Sequence, residues 1–267
     1  MRLPLFWVDA FTDRVFSGNP AGVVPLDAWP ADSSLLQRIA FENGLAETTF
    51  YVRTGAARFA LRWFTPAVEV DLCGHATLAA GHVLFHELEQ SGDAITFDSR
   101  SGPLVVTRLA DEKLELDFPA TPPAARQDAA AMRAVSDAIG LAPAWLGESK
   151  FDLFAVLPDT AAVARLRPDF ARVAAAGARG LIVTAPGDSG CDFVSRFFAP
   201  QSGVPEDPVT GSAHSALAPY WAARLGKTKL HARQLSARGG ELWCEVAGDR
   251  VKIAGRAALY LRGEISL

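Results

Sequence analysis

Cysteine is scarce: three in 267 residues, Cys73, Cys191 and Cys244. The number is odd, the positions are scattered and no CxxC pair occurs, which argues against a disulfide framework and for a reducing compartment. Basic excess is lacking too. Lys and Arg number 26 against 30 Asp and Glu, a formal charge of −4, so no global field draws phosphate backbones and nucleic acid is not an expected partner. Every apolar run is broken by His, Asp or Arg before the roughly 18 residues that a membrane span needs. The opening MRLPLFWVDAFTDR turns acidic at Asp9 before the apolar core of a leader could form. These absences make the cytoplasm the expected location, with no membrane partner. Also missing are GxSxG, GxxxxGK[ST], a GxGxxG after a strand, and HExxH, which removes the commonest hydrolase, nucleotide and zinc-peptidase signatures.

What remains is an ordinary apolar share, 49%, and a length compatible with one or two domains. Strand and helix signals alternate. Asp32 stands where it can cap a helix with the apolar face Leu35, Leu36, Ile39 and Ala40, closed by Gly44. Phe59, Leu61 and Trp63 alternate as a half-buried strand. A helix is expected from about His75 to Gln90, then strands at AITFDS, PLVVTRL and KLELDFP. The Pro- and Ala-rich PATPPAARQDAA reads as a linker near residues 119–127. Beyond it come a helix near 129–139, the strand FDLFAVL, a short helix near 168–176, strands GLIVTA and CDFVSRFF, a helix from Gly211, and a strand-rich tail. Two α+β halves are expected, 1–118 and 119–267, with the last strand, 257–267, able to return to the first.

The most informative feature is a repeat. Residues 62–81, RWFTPAVEVDLCGHATLAAG, are echoed by 196–218, RFFAPQSGVPEDPVTGSAHSALA. Each copy has Arg-aromatic-Phe-x-Pro, an acidic loop, a glycine and an Ala-rich run. Gly74-His75 and Gly211-Ser212 fall where loop becomes helix. The first amides of a helix lack internal partners and carry about half a positive charge, and a glycine lets a ligand approach them. Two such helix starts, facing one cleft between the halves, would hold a small carboxylate-bearing substrate. The plainer interpretation is two well-capped helix starts.

Glu47, in NGLAETTFY, lies at an element boundary among apolar neighbours, a placement suited to taking a proton from carbon and returning it elsewhere. His75 sits at a helix start, where the dipole favours a neutral imidazole. Asp207 either caps the following helix or bonds substrate. Asp71 and Glu69 read as surface or turn acids. Cys73, with its thiol acidified by the same dipole, is a rival base or nucleophile, but the second loop has Val209 and Thr210 rather than a partner thiol. His82 and His86 are four apart, yet no third metal ligand has a recognisable spacing, so no metal is expected.

VDAFTDRVFSGNPAGVV, NGLAETTF and the two repeated loops together resemble the PhzF-like phenazine biosynthesis family, which shares the diaminopimelate epimerase fold. The resemblance implies an α+β fold of two pseudo-symmetric domains, each a curved, mostly antiparallel sheet or partial barrel around a central helix. It implies a cofactor-independent isomerase and a homodimer. The family's characterised activity is a proton shift on trans-2,3-dihydro-3-hydroxyanthranilate. By resemblance Glu47 is the general acid/base, assisted by His75 and Asp207, while Gly74, His75, Gly211, Ser212 and Asn19 contact substrate. The alternatives are a racemase or epimerase using Cys73, or a small-acid-binding or interaction protein without turnover.

Overall fold

Strand pairing in the computed structural model, which describes residues 1–188 and 190–267, follows one pattern twice. The chain divides into two units, Met1–Asp117 with Ala254–Leu267, and Phe118–Ile253. In the first, β1 (Arg2–Ala10), β2 (Asn19–Leu26), α1 (Ser34–Asn43), β3 (Glu47–Gly55), β4 (Arg58–Phe64), β5 (Glu69–Val70), α2 (Gly74–His82), β6 (Ala94–Ser99), β7 (Gly102–Arg108) and β8 (Leu114–Pro119) follow in order. The second carries β9 (Ala124–Ala125), α3 (Ala129–Ile139), β10 (Trp145–Glu148), β11 (Asp152–Val156), α4 (Thr160–Arg165), α5 (Phe170–Ala175), β12 (Gly180–Pro186), β13 (Phe193–Ala199), β14 (Val204–Asp207), α6 (Gly211–Leu225), β15 (Lys229–Gln234), β16 (Gly240–Ala247) and β17 (Arg250–Gly255). The last strand, β18 (Ala257–Ser266), pairs antiparallel with β1 in the first unit.

In unit 1, β2 and β3 run parallel, β3 and β4 antiparallel, β4 hairpins with β5 and runs parallel to β6, and β7 follows antiparallel. Unit 2 repeats each relation with β11, β12, β13, β14, β15 and β16. The expected linker is not featureless, for β9 pairs with β10 inside it.

A helix apolar on all sides must be enclosed. From His75 to Gly81 every residue of α2 is buried, and the helix packs on β1, β2, β3, β7 and β18. It ends as an α-helix at His82 rather than running to Gln90. Val83–Glu87 widens into a π turn, with the Leu88 amide donating to the Val83 carbonyl five residues back at 3.0 Å. In unit 2, α6 packs on β15 and β16, and Trp221 stacks on Phe193 of β13 at 5.9 Å between centroids.

The repeated arginine has a structural task. Arg62 on β4 grips Glu69 on β5 through two hydrogen bonds of 2.7 and 2.8 Å. Arg196 on β13 grips Glu206 on β14 the same way, at 2.6 and 2.8 Å. Each fork ties the hairpin that leads into α2 or α6. Glu69 is therefore not a solvated turn acid. Its carboxyl lies below the ordinary value, chiefly through the bond from Arg62, with Arg100 adding a further charge.

The Arg196 side chain is 9% exposed against 22% for Arg62, and it also donates to the Val163 and Leu166 carbonyls. Removing one member of a buried pair strands the other, at roughly 3–5 kcal/mol, while an exposed pair is worth about 1 kcal/mol or less. Arg196→Ala should thus lose about 2–4 kcal/mol in urea unfolding and Arg62→Ala clearly less. Equal losses would contradict this account of the two clamps.

Candidate active site

Four residues named from the sequence meet in unit 1. Glu47 is the first residue of β3, placed there because α1 stops at Gly44 and the chain turns straight into a strand parallel to β2, with Ala21 opposite Glu47. Asn19 opens β2 and is fully buried. Cys73 is the residue before α2, and His75 lies in its first turn. The result is a compact chain of contacts. Glu47 Oε2 is 3.1 Å from His75 Nε2, and the side-chain amide of Asn19 meets His75 Nδ1 at 3.3 Å. Cys73 Sγ lies 3.5 Å from that same nitrogen.

Burial opposes charge on His75, but the sulfur of Cys73 and the carboxylate of Glu47 together favour it more, and the imidazole is held well above its ordinary value. This corrects the neutral imidazole expected from the helix dipole. A full carboxylate charge in direct contact outweighs a diffuse half-charge at the helix end. The Asn19 atom at Nδ1 is its side-chain amide nitrogen, a donor group, so this contact fixes the place of the ring. The thiol is corrected as well. Burial, with the Glu47 charge adding to it, pushes Cys73 up rather than down.

Glu47, Cys73 and His75 also present ligand atoms within 4.8 Å of one another. They flank the imidazole at opposite nitrogens, however, and a single ion at Nδ1 or Nε2 would reach one of them well and the other poorly. His82 and His86, the pair weighed from spacing, face each other at 4.8 Å between ring centroids. Burial, then the neighbouring His86, pushes His82 down to about 4. Among the described residues neither joins a three-ligand group.

The other predicted residues belong to the unit 2 loop. Gly211 opens α6, and half-buried Ser212 accepts from Arg179 at 3.1 Å. Arg179 is held by a two-point bond to the buried Asp152, at 2.9 and 2.6 Å, and lies over Phe151 and Phe197. Nothing in the run GARGL marks Arg179 beforehand, because the fork depends on strand register. Asp207 is not the cap of α6. Thr210 stands there, and its hydroxyl donates to Asp207 Oδ2 at 2.5 Å.

Side-chain capping differs between these two helices and α3 to α5. Asp128, Asp159 and Asp169 each accept a first-turn amide of α3, α4 and α5. Neither Cys73 nor Thr210 does so for α2 and α6. The plainer interpretation, two well-capped helix starts, does not describe them.

The second copy lacks the acid. Because Trp63 pairs with Thr49 and Phe197 with Ile182, the position matching Glu47 is Gly180. A Cβ there would stand 2.4 Å from the Phe197 ring and 3.0 Å from the Phe198 carbonyl oxygen, so the ring fills the space a side chain would need.

Known proteins agree with this architecture. The family model for phenazine biosynthesis-like proteins, PhzC-PhzF, matches residues 8–263. The chain belongs to this family. A Pseudomonas aeruginosa protein named an uncharacterized isomerase is 54% identical to it over the full length of both. The crystal structure of an Enterococcus faecalis protein of the PhzF family superposes with a TM-score of 0.95, at 46% identity and full coverage of both chains. A hydroxyproline epimerase from Agrobacterium vitis, 12% identical, covers all of this chain and 93% of its own with a TM-score of 0.60, which shows shared fold alone. The fold is thus the two-unit α+β type of the PhzF and epimerase proteins, and this PhzF-family chain stands among isomerase-like enzymes. No helix among the described residues is long and apolar enough to cross a membrane.

A raised imidazole stabilises the fold fully below its unfolded value of about 6.5, and that contribution fades as pH rises through the folded value. His214 works the other way. Burial pushes it down to about 4, so stability falls as pH drops from about 6.5 toward 4. In an NMR titration the His75 ring should turn over above about 6.5, and Glu47→Gln should bring it down. A wild-type midpoint at or below that ordinary value would contradict the ion pair.

Proposed function

We propose that this PhzF-family protein is a cofactor-independent isomerase that moves a proton on a small carboxylate-bearing substrate, in the manner of trans-2,3-dihydro-3-hydroxyanthranilate isomerisation, with Glu47 as its single acid/base. The observation that carries this is the Glu47–His75 contact of 3.1 Å at the uncapped start of α2. As a carboxylate, Glu47 accepts the proton from carbon. The C–H electron pair enters the substrate's conjugated system, and Glu47 returns a proton, exchangeable with solvent while the carboxyl holds it, at the far end of the shifted double bond, so one proton is removed and one added. The charged His75 stabilises the negative charge that develops and keeps Glu47 aimed. Its own orientation comes from Asn19 at Nδ1. The first-turn amides at Gly74, His75, Gly211 and Ser212 are assigned to the substrate carboxylate, and Asp207 to a polar group of the substrate. Gly180 at the position matching Glu47 supports one acid rather than two.

Cys73 as the base of a racemase is the weaker assignment. Its thiol is buried and pushed up, and its counterpart before α6 is Thr210.

Deuterium incorporation from D2O into trans-2,3-dihydro-3-hydroxyanthranilate and a panel of amino and hydroxy acids tests this. Glu47→Gln should reduce exchange by roughly 10²–10⁴-fold, and Cys73→Ala should leave most of it. Wild-type exchange in Glu47→Gln would remove Glu47 from the chemistry, and loss in Cys73→Ala would favour the racemase.

A further inference from the structure

Gln234 closes β15, in the strand-rich tail where no motif singles it out, and is 1% exposed. Its amide is committed entirely to the loop before α6. Oε1 accepts the Thr210 amide at 2.9 Å, while Nε2 donates to the Asp207 carbonyl at 2.8 Å and to Thr210 Oγ1 at 3.2 Å. A hydroxyl has one hydrogen to give. With Gln234 donating to Thr210 Oγ1, that hydrogen is left to point at Asp207 Oδ2, where the contact is 2.5 Å. The Thr210 carbonyl is in turn held by His214 Nδ1, at 2.8 Å.

The first unit provides an internal comparison. Trp63 pairs with Val70 as Phe197 pairs with Asp207, so Val70 stands where unit 2 has the carboxylate. Phe59 pairs with Phe97 as Phe193 pairs with Ala232. Continuing that register puts Ser99 at the place of Gln234, and its hydroxyl is engaged with the Gly102 carbonyl at 2.8 Å. Carboxylate and amide occur together in one copy and are both missing from the other. An amide needed only to brace the hairpin would be expected in both, since both hairpins carry the Arg–Glu clamp.

We propose that Gln234 is a positioning residue for Asp207: acting through Thr210, its side-chain amide sets the direction in which the carboxylate is presented. This rests on the assignment of Asp207 to the substrate, but its test does not need turnover. The Asp207 side-chain carboxyl carbon can be followed by 13C NMR across pH, identified by its loss in Asp207→Asn. A hydrogen bond to a carboxylate favours the charged form. Thr210→Val and Gln234→Leu should therefore move the Asp207 titration midpoint upward by about one pH unit. Thr210→Ser should restore it, and the surface carboxylate of Asp128 should not move. An unchanged Asp207 midpoint in folded Gln234→Leu overturns the proposal. If that variant does not fold, an unchanged midpoint in Thr210→Val overturns it equally. With a turned-over substrate in hand, Gln234→Leu should lower kcat roughly tenfold, alongside the loss in Asp207→Asn. A moved midpoint with full activity in Asp207→Asn supports the positioning and overturns only the assignment of Asp207 to the substrate. Full exchange in Glu47→Gln overturns the isomerase mechanism and leaves the positioning standing.

Discussion

A helix start without a side-chain cap needs its approach held by something else. In this chain that constraint is met by a guanidinium gripping a glutamate with two parallel bonds, Arg62 to Glu69 and Arg196 to Glu206. The planar fork fixes both distance and orientation, which a lysine could not do. Each pair ties a two-strand hairpin immediately before an uncapped helix. The other helices of the second unit, α3 to α5, use ordinary aspartate caps instead. Two ways of starting a helix thus coexist in one chain. The clamp leaves first-turn amides open, and the aspartate cap closes them.

The duplicated scaffold carries chemistry that is not duplicated. Parallel and antiparallel pairings recur strand for strand, yet Glu47 corresponds to Gly180, Asp207 to Val70, and Cys73 to Thr210. At Gly180 the reason is steric, since the Phe197 ring occupies the space a side chain would need. The cation of the second copy lies one residue earlier, in Arg179, fastened to Asp152 and Ser212. Unit 1 therefore offers an acid and an imidazolium at its helix start, and unit 2 a guanidinium, a hydroxyl and an aspartate. A symmetric pair of bases is not what these loops contain.

Much of the element plan was legible from residue patterns. The helix expected near 129–139 matches α3, and period-two alternation marks β4, β6, β7 and most tail strands. Short elements escaped: α4, with six residues, and the hairpin strands β5 and β14 have too few positions to show a period. The π turn after His82 left no trace either, because widening a helix by one residue does not alter its apolar composition. At the site, Glu47, His75 and Cys73 were named from local context, and Asn19 from the family resemblance. The direction of their shifts came out reversed for His75 and Cys73, since local context supplies the helix dipole and omits both burial and the charges of groups that meet only in the fold.

Sequence by itself determined that a loop-to-helix device occurs twice, that an acid stands at the boundary where the third strand begins, and that the second loop has no thiol. These are properties of neighbours along the chain, where turn chemistry and side-chain period act over a few residues. Tertiary structure alone decided that Glu47 touches His75, that Glu69 and Glu206 are clamp partners rather than surface acids, and that Gln234 binds the loop before α6. The first and last bring together elements far apart in the chain, and the clamps depend on the register of a hairpin. A shift of one residue in such a pairing turns every side chain to the opposite face, so no local pattern can encode which residues will meet.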